Sequence, residues 1–338
     1  MNIGILGAGS WAIALSVLLQ KRGHSICMWE FNPTDAKMLK EKREHPTKLP
    51  GIRIAEEVSI VNDITECVSH GTFVICAVPS QTMRSTAKTI ASKAGRKIID
   101  AVEGWVMVAK GIECGSLKLM TDILLEEIPN LTADKVVVVS GPSHAEEVSR
   151  NMPTTVVAAS ENHELTLRVQ NEFSTTSFRI YTSPDMRGVE LAASVKNVIA
   201  LAAGICDGLG FGDNTKGALM SRGIAEMMRL GKKMGAQEST FSGLAGIGDL
   251  ITTSISRHSR NRNLGEMIAS GLTLKQALEK MTMVAEGVET CRSVHELSRQ
   301  LNIEMPITQA VYQTLFEDKP AKAAVRDLMG REYKPEWW

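Results

Sequence analysis

The first half of the chain alternates short apolar runs with stretches of helical spacing, and this alternation restricts the fold more than any other feature. Helical spacing follows the first run (SWAIALSVLLQKRG) and returns at 80–92 and 116–127. Continuous apolar runs are typical of buried parallel strands, and strands that alternate with helices form βαβ units. The pattern predicts a parallel sheet covered by helices on both faces, over about the first 180 residues. The predicted strands lie within the apolar runs 2–7, 25–30, 73–79, 97–111 and 135–142.

From about residue 186 onward the apolar spacing is helical, with almost no strand-like alternation. The stretch 186–210 carries a long apolar stripe with Gly208 and Gly210 at its end, as expected for a helix and its C-terminal stop. We therefore predict an α/β domain over 1–185 and an all-α domain over 186–338 that close a cleft between them. Further helical runs are predicted at 217–234, 263–270, 273–281, 286–301, 306–317 and 320–330.

Composition limits the possible partners. Lys plus Arg (38) equals Asp plus Glu (38), so no overall field attracts nucleic acid or a membrane surface. Six scattered cysteines without a C-x-x-C pair favour reduced thiols, a cytoplasmic setting and no zinc. No His, Cys and carboxylate cluster has metal-ligand spacing, so we expect no metal. The N-terminus is too short and too glycine-rich for a signal peptide, and no apolar run approaches the roughly 18 residues of a membrane helix.

The first predicted strand runs into a G-x-G-x-x-A turn at residues 7–12. Gly7 permits the tight turn, Gly9 lets the backbone approach a diphosphate, and the small Ala12 allows helix–strand contact. Amides at the start of the next helix then hold the diphosphate. The position after a strand and before an amphipathic helix predicts a dinucleotide site; the alternative is a glycine turn kept for packing alone.

Glu30 ends the second predicted strand, 21 residues beyond Gly9. A carboxylate at this position accepts hydrogen bonds from ribose hydroxyls and repels a 2′-phosphate. No arginine follows it, since the next residue is Phe31. This favours NAD over NADP, although an exposed glutamate at a strand end is also ordinary.

Three charged residues stand in unusual surroundings. Lys196 lies inside the apolar stripe, where burial would lower its pKa and make it a usable general acid or base. The alternative is a lysine at the edge of the helix. Lys110 follows the apolar run WVMVA, so it projects from the carboxyl end of a strand, where the cofactor's reactive ring belongs. Asp249, in the segment GIGDL, either caps a helix or orients a lysine.

Two polar segments complete the candidate site. The segment from Gly141 to His144 follows the apolar run KVVVVS, and its turn and the helix start after it offer free amides and a hydroxyl. Arg257, Arg260 and Arg262 stand among Ser, Asn and Gly in a chain of zero net charge. They form either a solvated basic loop or a site for a small phosphorylated substrate.

Seven motifs together resemble those of the NAD(P)-dependent glycerol-3-phosphate dehydrogenases: GAGSW, AKGIE, VSGPSHAEEV, SVKNVIALAAGICDGLGFGDN, GLAGIGDLITT, SRNRNLGE and VAEGVET. The resemblance covers nearly the whole chain, from Gly7 to about Leu328. It implies a Rossmann-like doubly wound N-terminal domain, an all-α C-terminal domain and a homodimer. It also implies reversible oxidation of sn-glycerol 3-phosphate to dihydroxyacetone phosphate, in support of phospholipid synthesis, with NAD or NADP as cofactor.

The resemblance also assigns roles. Lys196 matches the proton-transfer lysine, and Lys110 matches a lysine that contacts both cofactor and substrate. Asp249 matches a position lining the substrate, and we predict that it completes the catalytic set by holding Lys196 in place. Arg260 and Asn261 match the phosphate anchor, whereas Arg262 would support the loop and Arg257 would be solvated. The substrate positions are Lys110, Gly141, Ser143, Lys196, Asp249, Thr253, Ser259, Arg260 and Asn261. The cofactor positions are Gly7, Gly9, Ser10, Trp11, Glu30, Phe31, Lys110, Ala145, Arg260, Val284 and Glu286.

Two other functions fit part of the pattern. A dehydrogenase acting on a 3-hydroxy acid or a sugar-acid phosphate would also use a helical lysine, with an asparagine a few residues later. Here Asn197 is the very next residue. A catalytically silent NAD-binding sensor or scaffold would have lost Lys110, Lys196 and Asp249, yet all three are present.

Overall fold

The computed structural model describes residues 1–336; Trp337 and Trp338, the end of the predicted helical domain, lie outside the described residues. A sheet of eight strands occupies the first 183 residues. The strands are β1 (Asn2–Leu6), β2 (Ser25–Trp29), β3 (Ser59–Val61), β4 (Phe73–Cys76), β5 (Gly104–Met107), β6 (Val136–Ser140), β7 (Thr154–Ala159) and β8 (Phe178–Ser183). The helices of this region are α1 (Ser10–Lys21), α2 (Pro33–Lys42), α3 (Ile64–His70), α4 (Met83–Lys93), α5 (Gly95–Ala101), α6 (Met120–Glu127), α7 (Ala145–Val148) and α8 (His163–Phe173).

The strand order is β3-β2-β1-β4-β5-β6-β7-β8, and the first six strands are parallel. The order reverses between β1 and β4, which lie side by side, so a crevice opens outside their carboxyl ends. Both faces of the sheet are buried. Consecutive residues of β4 point to opposite faces, and Phe73 and Val74 belong to different core clusters. The α/β prediction is confirmed for this region.

The sheet is mostly parallel, as predicted, but it departs from the parallel pattern at β7. This strand runs antiparallel to β6 and then pairs in parallel with β8. The only helix between β6 and β7 is α7, a single turn of 4 residues. It rises about 6 Å, whereas β6 rises about 16 Å, so this helix is too short to carry the chain back along the sheet for a parallel crossover.

The apolar run at 97–111 was too long for one strand. Its first part forms α5, which buries Ile99, and only Gly104–Met107 pairs in the sheet. The neighbouring strands β4 and β6 have 4 and 5 residues, so a longer β5 would have no partner to pair with. The strand still ends three residues before Lys110, which therefore lies at the carboxyl edge of the sheet.

The second half is helical throughout its described part, as predicted. The helices are α9 (Met186–Gly208), α10 (Asp213–Lys233), α11 (Glu238–Phe241), α12 (Asp249–Ile255), α13 (Arg260–Ala269), α14 (Leu274–Glu279), α15 (Gly287–Gln300), α16 (Pro306–Phe316) and α17 (Ala321–Met329). A π-helical turn, Leu244–Gly248, leads directly into α12. The helical runs predicted from sequence do not include α11, α12 or this turn, although a helix capped by Asp249 was one alternative.

α9 forms the centre of the helical region. The expectation that no apolar run approaches membrane length was wrong, because this helix has 23 residues and is apolar enough to cross a membrane by length and composition. All of its apolar window is buried inside the protein, so it is a core helix. Gly204 and Gly265 bring α9 and α13 into backbone contact: a Cβ on Gly204 would lie 1.9 Å from the carbonyl oxygen of Arg262.

Candidate active site

A cleft of about 1390 Å³ lies between the carboxyl edge of the sheet and the helical region. Nearly all the site residues predicted from sequence line it, from both halves of the chain. Gly141 does not line it, but its carbonyl oxygen accepts a hydrogen bond from the Lys110 ammonium at 3.2 Å. The predicted residues that line the cleft are Gly7, Gly9, Ser10, Trp11, Glu30, Phe31, Lys110, Ser143, Ala145, Lys196, Asp249, Thr253, Ser259, Arg260, Asn261, Val284 and Glu286.

The glycine turn at the start of α1 fits a dinucleotide diphosphate. Gly7 has φ +113, and a Cβ there would lie 2.9 Å from the carbonyl oxygen of Ala77, so no other residue fits without strain. A Cβ on Gly9 would meet nothing within 4 Å and would project into open space. No side chain caps α1, so its first amides are not occupied by a protein capping group.

The ribose end of the cleft contains a charge pair. Glu30 is only 7 % exposed, so it is not an ordinary surface glutamate. One of its oxygens accepts a hydrogen bond from the amide of Asn32 at 2.9 Å, and the other lies 3.4 Å from the ammonium of Lys48. Phe31 is 78 % exposed beside it. A carboxylate that can bind ribose hydroxyls thus stands next to a cation that can bind a phosphate.

Three charged side chains converge beside the sheet edge. The Lys196 ammonium lies 2.7 Å from Asp249 Oδ1, and the Lys110 ammonium lies 2.8 Å from Asp249 Oδ2. Lys196 also donates to the hydroxyl of Thr253 at 2.5 Å. Lys196 and Asp249 are 5 % and 2 % exposed, whereas Lys110 is more accessible from the cleft. Two cations therefore share one buried carboxylate at the wall of the cleft.

Burial has the largest single effect on the pKa values of Lys196 and Asp249. It lowers the pKa of Lys196 to about 8, even though Asp249 acts in the opposite direction. Lys110 and Arg260 lower that pKa further by repulsion between like charges. Burial alone would raise the pKa of Asp249, but Lys110 and Lys196 together hold it below its ordinary value. Asp249 is therefore ionised, while Lys196 can exchange a proton near neutral pH.

Local structure explains how Asp249 reaches the lysines. It is the first residue of α12 and follows directly on the π-helical turn. Gly246 in that turn passes so close to Phe241 that a Cβ would lie 2.0 Å from its carbonyl oxygen. The glycine-rich segment thus lets the turn pack tightly and directs the carboxylate toward the lysines rather than toward an amide as a cap.

The segment that contains Arg260 and Arg262 forms the first turn of a helix, α13, and is not a loop. Ser259 is the N-cap of α13, and its hydroxyl accepts from the amide of Arg262 at 3.2 Å. Arg260 is exposed on the cleft side and donates to the carbonyl of Val284 at 3.1 Å. The amides of the first turn of α13, next to an arginine, form a favourable environment for an anion.

The other residues of this segment have structural partners. Asn261 donates to Asn197 Oδ1 at 2.9 Å and accepts from the amide of Gly287 at 2.9 Å, so its side-chain amide is engaged within the protein. Arg262 contacts Asp207 Oδ2 at 2.6 Å and also Glu266. Arg257 is exposed and does not line the cleft.

Glu286 connects the two halves of the chain. Its carboxylate accepts hydrogen bonds from the amide of Ser80, at 3.1 Å, and from the Ser80 hydroxyl. Burial raises its pKa, while the two hydrogen bonds from Ser80 favour the ionised form. Ser80 lies just beyond β4, so this contact joins the sheet to the start of α15 at the cleft wall.

Sequence reasoning assigned no role to four residues at or beside the cleft: Lys48, Ser80, His144 and His258. Lys48 has no motif around it, and only the folded loop before β3 brings it to Glu30. His144 stands inside the motif VSGPSHAEEV, next to Ser143, and His258 directly precedes the motif SRNRNLGE, next to Ser259; these positions were the available signal. Ser80 follows an apolar run that ends at proline, a place where such sheets bind ligands.

The chain matches two family profiles, the N-terminal region of NAD-dependent glycerol-3-phosphate dehydrogenase over residues 2–166 and its C-terminal region over residues 185–326. It is 48% identical over 337 residues to a glycerol-3-phosphate dehydrogenase [NAD(P)+] of Chlorobium luteolum, with 99% of each chain covered. The crystal structure of glycerol-3-phosphate dehydrogenase from Coxiella burnetii is 33% identical, with a TM-score of 0.91 over 97% of this chain and 98% of that one. With its glycine turn, its paired lysines and these full-length similarities, the chain belongs to the NAD(P)-dependent glycerol-3-phosphate dehydrogenase family.

Proposed function

We propose that this chain interconverts sn-glycerol 3-phosphate and dihydroxyacetone phosphate and supplies glycerol 3-phosphate for phospholipid synthesis. The observation that carries the proposal is the convergence of Lys110 and Lys196 on Asp249 beside the cleft. When bound, a nicotinamide dinucleotide supplies or accepts the hydride. The residues that fit it are the turn around Gly7 and Gly9, the start of α1, and Glu30.

The protein's part is to place the substrate carbon and to move one proton. Lys196 in its neutral form accepts the proton of the C2 hydroxyl during oxidation, and as an ammonium it returns that proton during reduction. Asp249 holds Lys196 in place and favours its charged form. Lys110 donates a hydrogen bond to the same oxygen, where it stabilises developing negative charge. Arg260 and the start of α13 bind the phosphate.

The two halves of the chain act as separate domains in this proposal, 1–185 for the dinucleotide and 186–338 for the substrate. Glu30 favours NAD, and Lys48 beside it leaves NADP use open. We also infer a homodimer, as the family resemblance implies, and a cytoplasmic location, as the scattered cysteines favour. Light scattering on the purified protein tests the dimer, and activity in the soluble and membrane fractions of cells tests the location.

One assay tests the activity against both rivals. Oxidation of NADH, followed by absorbance, is measured with dihydroxyacetone phosphate and with a panel of 2-keto and 3-keto acids. Preference for dihydroxyacetone phosphate supports the proposal, and preference for a keto acid assigns the chain to a different dehydrogenase class. NADH binding without turnover of any of these compounds would identify a sensor or scaffold.

A further inference from the structure

Two histidines face each other across the boundary between the sheet region and the helical region. His144 directly precedes α7, and His258 lies two residues before α13. Their ring centroids are 5.9 Å apart, with the ring planes inclined by 56°. Both line the cleft, next to Ser143 and Ser259 respectively. The proton transfer assigned to Lys196 uses neither of them.

The His144 side chain has no hydrogen-bond partner among the described residues. Its Nε2 is buried without a hydrogen-bond partner, and neither ring nitrogen bonds to any other residue that the structure describes. Burial, and next the charge of Lys196, lower the pKa of His144, which favours the neutral form of its ring. The charged and titratable groups around it are Lys196 on α9, Asp249 on α12, His258, and two carboxylates on its own helix, Glu146 and Glu147. A neutral ring there can gain a proton when an anion arrives.

The substrate phosphate belongs close to this pair. The start of α1 fits the dinucleotide diphosphate, and the start of α13, beside Arg260, is the place proposed above for the substrate phosphate. The start of α13 is joined to α9 by the Asn261–Asn197 hydrogen bond, one residue from Lys196. A three-carbon substrate can thus place its C2 oxygen at Lys196 and its phosphate at the start of α13. His258 is on the chain segment that enters α13, and His144 lies opposite it.

We propose that His144 and His258 hold the substrate phosphate from the two sides of the cleft, and that one proton enters this pair together with the phosphate. This inference rests on the proposed function, since it needs a phosphorylated substrate. A phosphate dianion beside two imidazoles favours one imidazolium, while two imidazolium ions at this separation would repel each other. The proton comes from solvent and stays on the pair until the phosphate leaves. Because each histidine belongs to a different half of the chain, phosphate binding also draws the halves together.

The test measures proton uptake on binding without turnover. sn-Glycerol 3-phosphate is titrated into the protein saturated with NADH; both compounds are reduced, so no hydride moves. Calorimetry at pH 7.5 in two buffers of different ionisation enthalpy gives the number of protons taken up. At this pH the free phosphate is almost entirely the dianion, since its second pKa is about 6. We expect uptake of up to one proton in the wild type, and affinity that falls as pH rises from 7 to 8.5.

Three variants separate this role from a structural one. His144→Gln keeps a hydrogen-bond donor but cannot take up a proton, so we expect the uptake to fall toward zero and binding to weaken about tenfold. His258→Gln should weaken binding by a similar factor. His163→Gln, an exposed histidine at the start of α8, is the matched control and should change neither quantity. NADH affinity and Tm confirm that each variant is folded.

The outcomes also distinguish this inference from the proposed function. If the wild type reduces dihydroxyacetone phosphate, but proton uptake and affinity are the same in wild type, His144→Gln and His258→Gln, the histidine clamp is wrong and the proposed function stands. If the wild type neither binds sn-glycerol 3-phosphate nor reduces dihydroxyacetone phosphate, the proposed function itself fails. Loss of affinity with unchanged proton uptake in His144→Gln overturns the proton-linked part.

Discussion

Lys110 and Lys196 come from opposite walls of the cleft, yet they bind the two oxygens of one carboxylate, that of Asp249. Lys110 follows β5 of the sheet, and Lys196 lies in the middle of α9. A single buried anion therefore sets the separation of the two ammonium groups and keeps both beside the space for a substrate oxygen. Because the carboxylate compensates both charges, the protein can tolerate Lys196 in an otherwise apolar helix.

Replacing Lys196 with methionine should abolish proton transfer while leaving the cofactor end of the cleft intact. Methionine fills similar volume in a buried position but can neither donate nor accept the proton. We expect kcat for dihydroxyacetone phosphate reduction to fall about 10²- to 10⁴-fold. Steady-state kinetics measure the loss, and fluorescence titration should show NADH affinity within about twofold of wild type. Turnover comparable with wild type would rule out Lys196 as the acid and base.

The pH dependence should run in opposite directions for the two reactions. Burial lowers the pKa of Lys196 to about 8. Reduction needs the ammonium, so kcat/KM for dihydroxyacetone phosphate should fall as pH rises through about 8, and kcat/KM for glycerol 3-phosphate should rise over the same range. Asp249 raises the pKa of Lys196, so Asp249→Asn should move both transitions to lower pH. Transitions that stay in place, or move to higher pH, contradict the role of Asp249.

Arg260→Ala should weaken substrate binding more than chemistry. Its guanidinium lies on the cleft side of α13, where it can bind the phosphate. We expect KM for dihydroxyacetone phosphate to rise about tenfold or more, with a smaller change in kcat, as for the loss of a charged hydrogen bond. Arg257→Ala is the matched control, because Arg257 is exposed three residues away and does not line the cleft. An unchanged KM in Arg260→Ala, or equal effects in both variants, would remove the phosphate assignment.

The parts of the fold that were predictable depend on local pattern. Apolar runs, helical spacing and the glycine turn at Gly7 involve neighbouring residues, so they locate β1, α1 and the long core helix α9 without knowledge of packing. The direction of β7 was not predictable in this way, because it depends on how far α7 reaches over the sheet. The start of α13 was read as a loop since its apolar spacing begins only at Leu264, although Ser259 is an ordinary N-cap residue.

In the candidate site, too, features set by local sequence were predictable, and features set by tertiary packing were not. Lys110, Lys196 and Asp249 stand out individually because each is a charge in an apolar or glycine-rich setting. These three side chains come together only through tertiary contacts between residues up to 139 positions apart in the sequence. The pair of Lys48 and Glu30 gives no sequence signal, because a lysine in a loop is common and only the fold brings it to a buried carboxylate.

Lys48 should determine how well the protein uses NADPH. Its ammonium lies 3.4 Å from Glu30, where it can offset the repulsion between that carboxylate and a 2′-phosphate. Lys48→Met should lower kcat/KM for NADPH about tenfold relative to kcat/KM for NADH. Lys37→Met, an exposed lysine on α2, serves as the control and should leave the ratio unchanged. A ratio that stays constant in Lys48→Met would show that the 2′-phosphate lies elsewhere.

Glu226→Gln should change how stability depends on pH. Glu226 is buried on α10 and accepts hydrogen bonds from the amides of Ile307 and Thr308 at the start of α16. Burial raises its pKa from 4.5 to about 7, despite these donors. Between these two values the folded protein holds a proton that the unfolded chain has lost, so this group stabilises the fold fully below pH 4.5 and loses that contribution as pH rises through 7.

Glutamine at position 226 has no such proton. The free energy of unfolding of the Glu226→Gln variant should therefore not fall in this way as pH rises through 7. Relative to wild type, the variant should gain on the order of 2–3 kcal/mol between pH 5 and pH 7.5, because a shift of one pKa unit corresponds to about 1.4 kcal/mol. Urea unfolding at several pH values measures the difference, in which the contributions of all other groups cancel. Glu57→Gln, at an exposed position, should follow the wild-type curve. If Glu226→Gln also follows it, the carboxyl group of Glu226 is ionised throughout this range, and the donors at the start of α16 outweigh its burial.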